Sequence, residues 1–284
     1  MTTPETTTET TGTGTTGTGT TTSSPVGLGT SLRTFWSVLW RDVVVTGREL
    51  LPFLAQVVVQ PFFTLFIFGK VLTSLGYVGG DYAAILLPGI VALNGFPGAL
   101  QNTTMPLIMD FSWTREIEDR LLAPIPISWV AVEKILFGAL RGIIAAAVMV
   151  PIGFLILDDV SWPASSYLPI FLIIVLGSLA GGAIGMVIGT SVPPRRINIM
   201  FAVILMPLMF TGSTQFPWMG LEQLRWFQVV CALNPLTYVS EAMRAELVPQ
   251  VPHIPMWINV LVMVGACVLF GAIGIKGFLK RALD

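Results

Sequence analysis

Residues Asp110 to Trp129, DFSWTREIEDRLLAPIPISW, interrupt a chain whose neighbouring runs are almost free of charge. Six ionisable side chains, Asp110, Arg115, Glu116, Glu118, Asp119 and Arg120, fall within eleven residues. A charge at the bilayer centre costs roughly 3 kcal/mol or more, so such a segment cannot lie in hydrocarbon. It divides two membrane spans and fixes the face to which they turn.

The composition points the same way. Hydrophobic residues make up 54% of the 284 and charged residues 11%, where a soluble domain carries about 25% charge. Several windows reach the roughly 20 apolar residues that cross a bilayer. The two cysteines, Cys231 and Cys267, form no disulfide framework, and the single His253 excludes a His-cluster metal site.

Residues 1–27 are rich in Thr and Gly, with fourteen threonines between Thr2 and Thr22. They cannot build a core, lack the apolar run of a signal peptide, and are expected to form a disordered tail. Over 28–49 the apolar residues Leu32, Phe35, Trp36, Leu39, Trp40, Val43 and Val44 recur at helical spacing, with Arg33, Arg41 and Arg48 among them. This is the pattern of an amphipathic helix lying on an anionic membrane surface, or packed against a bundle as an extension.

An all-α membrane domain is expected over 50–281, with six spans near 51–69, 82–107, 130–157, 168–189, 198–212 and 256–278. Pro61 should kink the first. In the second, Asn94 and Gln101 lie seven residues apart and share a face turned towards protein or water rather than lipid. Arg141 is expected on the water side, with the third crossing running from Gly142. The fourth span carries Gly177, Gly181, Gly185 and Gly189 at four-residue spacing, a stripe suited to close helix packing within the subunit or between subunits. Between the fifth and sixth spans, 223–233 and 236–247 read as two helices too short to cross, broken at Asn234 and Pro235.

Six alternating spans place twelve of the fifteen Lys and Arg residues on the side of both termini, leaving Lys70, Arg225 and Arg244 opposite. The positive-inside rule makes the first side cytoplasmic.

The sequence holds no P-loop, no HExxH, no CxxC and no carbonyl-filter signature. Ionisable groups deep in the spans are scarce, which argues against proton coupling. A transporter of this kind borrows its energy from a partner; the competing readings are a secondary transporter or a membrane scaffold of an envelope-assembly complex.

The segments TREIEDRLLAPIPISWVAVEKIL and NPLTYVSEAMRAEL resemble, respectively, the loop between the second and third spans of ABC-2-type permeases and that family's motif before the last span. The likeness covers about residues 30–281 and is greatest to bacterial drug- and glycolipid-exporting members of the daunorubicin-resistance and nodulation-export types. It implies a permease without catalytic residues or a cofactor of its own, in a bacterial inner membrane with both termini cytoplasmic. Its expected partners are two ABC ATPase subunits carrying ATP and Mg, a second permease copy and membrane lipids, with no nucleic acid. It implies that Arg115, Glu116, Glu118, Asp119, Arg120, Leu121 and Leu122 form a coupling segment docking on the ATPase. Arg33, Trp36, Trp40 and Arg41 would belong to a connecting helix. Asn234, Pro235, Tyr238, Glu241 and Arg244 would form an external gate motif on two re-entrant helices. Asn94, Phe96, Gln101, Met206 and Phe210 are candidates for the substrate path.

Overall fold

The computed structural model describes residues 50–79, 81–111, 126–157 and 160–283. The segments 1–49 and 112–125, which hold the expected connecting helix and coupling segment, lie outside the described residues.

Every regular element among the described residues is helical. Helix α1 begins as Leu50–Thr64, widens into a π-helical stretch at Leu65–Val71 and closes with Leu72–Ser74. Then come α2 (Tyr82–Met109), α3 (Ile127–Ile156) and α4 (Tyr167–Ser191). Helix α5 is composite: Ile197–Met200, a π-helical Phe201–Leu205, and Met206–Thr211. The short α6 (Arg225–Ala232) and α7 (Pro235–Leu247) precede the long α8 (Met256–Leu283). Five of these, α1, α2, α3, α4 and α8, are long and apolar enough to cross a membrane. The segment expected as another span is a shorter apolar helix, Phe201–Thr211.

Helix α2 is the centre of the bundle. Of its apolar window 78% is buried inside the protein, against 17% for α1 and 22% for α8. The glycine stripe explains how α2 and α4 come so close. A Cβ at Gly181 would strike the Phe96 carbonyl, and one at Gly185 would sit 2.5 Å from the Leu100 carbonyl. At Gly189 it would meet Leu107, and at Gly177 it would meet Val239 of α7. Removing every Cβ from one face allows backbone-to-backbone packing, so the stripe serves contacts within this subunit.

The two ends of the bundle differ. At one, the Asp110 side chain ends α2 and pairs with Lys134 of α3 at 2.7 Å, both side chains nearly buried. Arg281 of α8 lies over the Phe111 ring and donates to the last carbonyls of α4, Gly189 and Thr190, at 3.1 Å each. These carbonyls lack partners within their own helix, so a cation there satisfies them and suits the helix dipole. The other end gathers the start of α2, the end of α5, and α6 and α7.

Candidate functional site

Two arrangements on this scaffold hold polar groups where an apolar bundle would not need them. The first is at the α7 end. Asn234 has extended backbone angles and accepts from the Leu236 N–H at 3.0 Å, which makes it the N-cap of α7. Pro235 occupies the first turn, where its missing N–H leaves nothing unsatisfied. The Asn234 amide also donates to the Leu208 carbonyl at 2.6 Å and the Thr211 hydroxyl at 2.9 Å, fastening the cap to α5. Tyr238 donates its hydroxyl to the Ala232 carbonyl at 2.8 Å and so ties α7 to α6.

One helical turn further, Glu241 and Arg244 are both 0% exposed. Arg244 Nη1 meets Glu241 Oε1 at 2.8 Å. Its Nε donates to the Ile85 carbonyl of α2 at 3.2 Å, and its Nη2 to the carbonyls of Ser213 and Thr214. Four of the guanidinium's five N–H groups are thus engaged. Burial pulls the pKa of Arg244 down from its ordinary value, and the Glu241 charge opposes that shift. Glu241 in turn accepts from the backbone N–H groups of Trp218, at 3.0 Å, and Ile254, at 3.3 Å. One ion pair therefore joins α2, the turn after α5, the turn before α6 and the approach to α8.

Two further residues make the junction possible. Ser213 adopts a φ of 49°, in the left-handed region, and this turn presents two successive carbonyls to one nitrogen. Gly89 lies against the Thr214 carbonyl so closely that a Cβ there would overlap it, and that Cβ would come within 2.8 Å of Arg244 Nη2. Neither residue belongs to the sequence motif; an isolated Gly next to Pro88 in an apolar span was the one available signal.

The second arrangement is a cleft of about 540 Å³ walled by α1, α2 and α5, with α3 contributing Arg141. Its polar lining is Gln60, Thr64, Asn94, Gln101, Asn102 and Arg141. Asn94 and Gln101 share it, as their spacing requires. Phe96 does not line it: that side chain is 1% exposed and packed in the α2 core. Met206 and Phe210 are exposed on the outer surface of α5, at 60% and 66%. Pro61, Pro97 and Pro106 also line the cleft. A helical proline leaves the carbonyl four residues earlier without its N–H partner. Those carbonyls belong to Val57, Leu93 and Asn102, which are lining residues too.

Arg141 lies beside Gly142 within one unbroken helix. It is at the middle of the thirty-residue α3. Its guanidinium donates to Asn102 Oδ1 at 3.0 Å and lies over the rings of Phe53, at 5.4 Å, and Phe137, at 4.9 Å. Hydrogen bonding and cation–π contact stabilise this half-buried guanidinium.

Among the described residues no group of three or more His, Cys, Asp or Glu side chains is placed to hold a metal. The Glu241–Arg244 pair is fully buried, and backbone groups of four segments take up its hydrogen bonds.

Residues 33–248, about three quarters of the chain, match the family model described as ABC-2 type transporter. The chain is also similar to two proteins bearing the transport permease name ycf38. That of Cyanophora paradoxa is 25% identical over 205 residues and that of Porphyra purpurea 23% over 198. Each match covers 66% of this chain and 65% of the relative, slightly less than two thirds of the relative's own length.

Proposed function

The chain belongs to the ABC-2 type transporter family, and on that premise we propose that it is the membrane-embedded subunit of an ATP-driven exporter. Membership makes it a multi-pass transporter subunit. The finer reading adds export of an amphiphilic drug, lipid or glycoconjugate, powered by ATP hydrolysis on separate subunits.

The observation that carries this reading is the family match over 33–248 in a chain whose sequence has no P-loop. In the proposed assembly two ATPase subunits, holding ATP and Mg, dock on two permease copies. The segment Arg115 to Leu122 is the coupling element: Arg115, Glu116, Glu118, Asp119 and Arg120 make polar contacts, and Leu121 and Leu122 bury apolar surface. The stretch containing Arg33, Trp36, Trp40 and Arg41 is the connecting helix. The Asp110 end faces the cytoplasm of a bacterial inner membrane, because Lys134, Lys276, Lys280 and Arg281 gather there with Arg195 and Arg196. Helix α5 completes six spans, and α6 and α7 re-enter from the outside with Asn234, Pro235, Tyr238, Glu241 and Arg244 at the outer gate.

Co-purification tests this reading. The native chain should bring down an ABC ATPase. Reversing Glu118 or Asp119 to Lys should abolish that association while membrane insertion persists. Unchanged association in inserted variants would refute the coupling assignment, and transport driven by an ion gradient without ATP would refute the exporter.

A further inference from the structure

We infer that Phe278 and Arg281, at the end of α8, are positioning residues for ATPase docking. They brace the helix ends between which the coupling segment is strung, and act on the partner through Phe111. This deepens the proposed function and rests on its assignment of 115–122 as the docking element.

The segment 112–125 follows directly on Phe111 and runs directly into Pro126 and Ile127. Phe111 is held from α8 by two groups. Its ring centroid lies 5.5 Å from that of Phe278, with the planes inclined at 59°, and the Arg281 guanidinium is 4.7 Å from it. Ring pairing and cation–π contact both restrict how the Phe111 ring can turn. The return side belongs to the same place. Ile127 and Val130 of α3 gather with Phe111 in the apolar cluster that contains Phe278, which is 0% exposed. This cluster is separate from the main core.

The brace is itself anchored. A Cβ at Gly274 would come within 2.7 Å of Met186, and one at Gly277 within 2.8 Å of the Thr190 hydroxyl, so α8 lies close on the end of α4. There Arg281 Nη1 donates to the carbonyls of Gly189 and Thr190. One guanidinium therefore ties the last turn of α4 to the ring at which the coupling segment begins. The Asp110–Lys134 pair sets the spacing between the end of α2 and the start of α3.

A docking segment whose ends are already fixed loses less freedom on binding. Loosening those ends weakens association without removing any contact to the partner. The main core does not depend on this cluster, so the loss falls on docking before it falls on the bundle.

The test uses the full-length chain and the ABC ATPase that co-purifies with it, titrated against each other in detergent. Arg281→Gln should weaken the ATPase roughly tenfold, and Arg281→Lys, which keeps the cation, should lose less. Phe111→Leu and Phe278→Leu, which remove a ring and keep the apolar bulk, should each weaken it severalfold. In the Phe111→Leu background the Arg281→Gln step should cost less than about twofold, because both changes break one route. Trp162→Leu is the control. Trp162 is buried against Phe154 between α3 and α4, at the opposite end of the bundle, so this change should lower the thermal midpoint and leave the affinity unmoved. Where Arg281→Gln fails to reach the membrane, Arg281→Lys and Phe111→Leu carry the same test.

Unchanged affinity in the inserted Arg281 and Phe111 variants overturns the proposal. So do additive losses, which would put Arg281 itself on the ATPase, and so does an equal loss in Trp162→Leu. The coupling assignment is read separately, from Glu118→Lys and Asp119→Lys. Association abolished there and untouched by Arg281→Gln would refute the brace alone.

Discussion

Glu241 and Arg244 lie one turn apart on α7, meet at 2.8 Å and share no surface with solvent. Removing one partner of such a pair strands the other charge, at a cost of about 3–5 kcal/mol. Arg244→Met should therefore lower the thermal midpoint in detergent more than any surface substitution. The double variant Glu241→Leu with Arg244→Met should recover part of the loss. Recovery stays partial because the N–H groups of Trp218 and Ile254 lose their acceptor.

The cap of α7 allows a finer dissection. Asn234→Ala removes one acceptor and two donated bonds, and a lost N-cap alone costs about 1 kcal/mol. Asn234→Asp keeps the acceptor for Leu236 and gives up the bonds to Leu208 and Thr211. Its stability should fall between wild type and Ala, and hydrogen exchange should stay slow at Leu236 in Asn234→Asp alone of the two.

Gly89→Ala tests the contact between α2 and the Ser213–Thr214 turn. The added Cβ has no space beside the Thr214 carbonyl, so the turn must retreat from Arg244. Overpacking of this sort costs about 1–3 kcal/mol. The expected result is a destabilised protein in which a further Arg244→Met change costs less than it does in wild type, as a double-mutant cycle would measure.

At the opposite end, Asp110→Asn should leave Lys134 buried without its carboxylate, costing about 3 kcal/mol. The exchange Asp110→Lys with Lys134→Asp should restore most of the midpoint. If the exchange is as unstable as the single change, the pair contributes through local packing rather than charge.

The helices were legible because long apolar runs and their charged interruptions have no other stable arrangement. The glycine stripe announced close packing, but its partners, Phe96, Leu100 and Leu107, lie about 80 residues away and leave no local trace. The pairing of Glu241 with Arg244 follows from helical spacing. Their reach to Ile85, Ser213, Trp218 and Ile254 does not, because carbonyls and N–H groups are the same in every residue. The contacts of Arg141 were hidden for a different reason. Hydropathy counts a charge as a boundary and carries no information on the two aromatic rings and the amide that hold it. Phe96 was a path candidate by type, and its burial in the core could not be read from the sequence.

The two π-helical stretches, Leu65–Val71 and Phe201–Leu205, have a mechanical meaning. Both occur in the helices that face α2 across the cleft. Helices α2, α3 and α4 touch through backbone, as where a Cβ at Gly142 would come 2.5 Å from the Gly95 carbonyl, and such a block is stiff. A π turn carries one residue more than the regular ladder accommodates, which leaves slack in its hydrogen bonds. The slack in the helical ladder is thus on one wall of the cleft. The surplus turns lie in the α1 and α5 wall, while Asn94, Gln101 and Arg141 belong to the close-packed block.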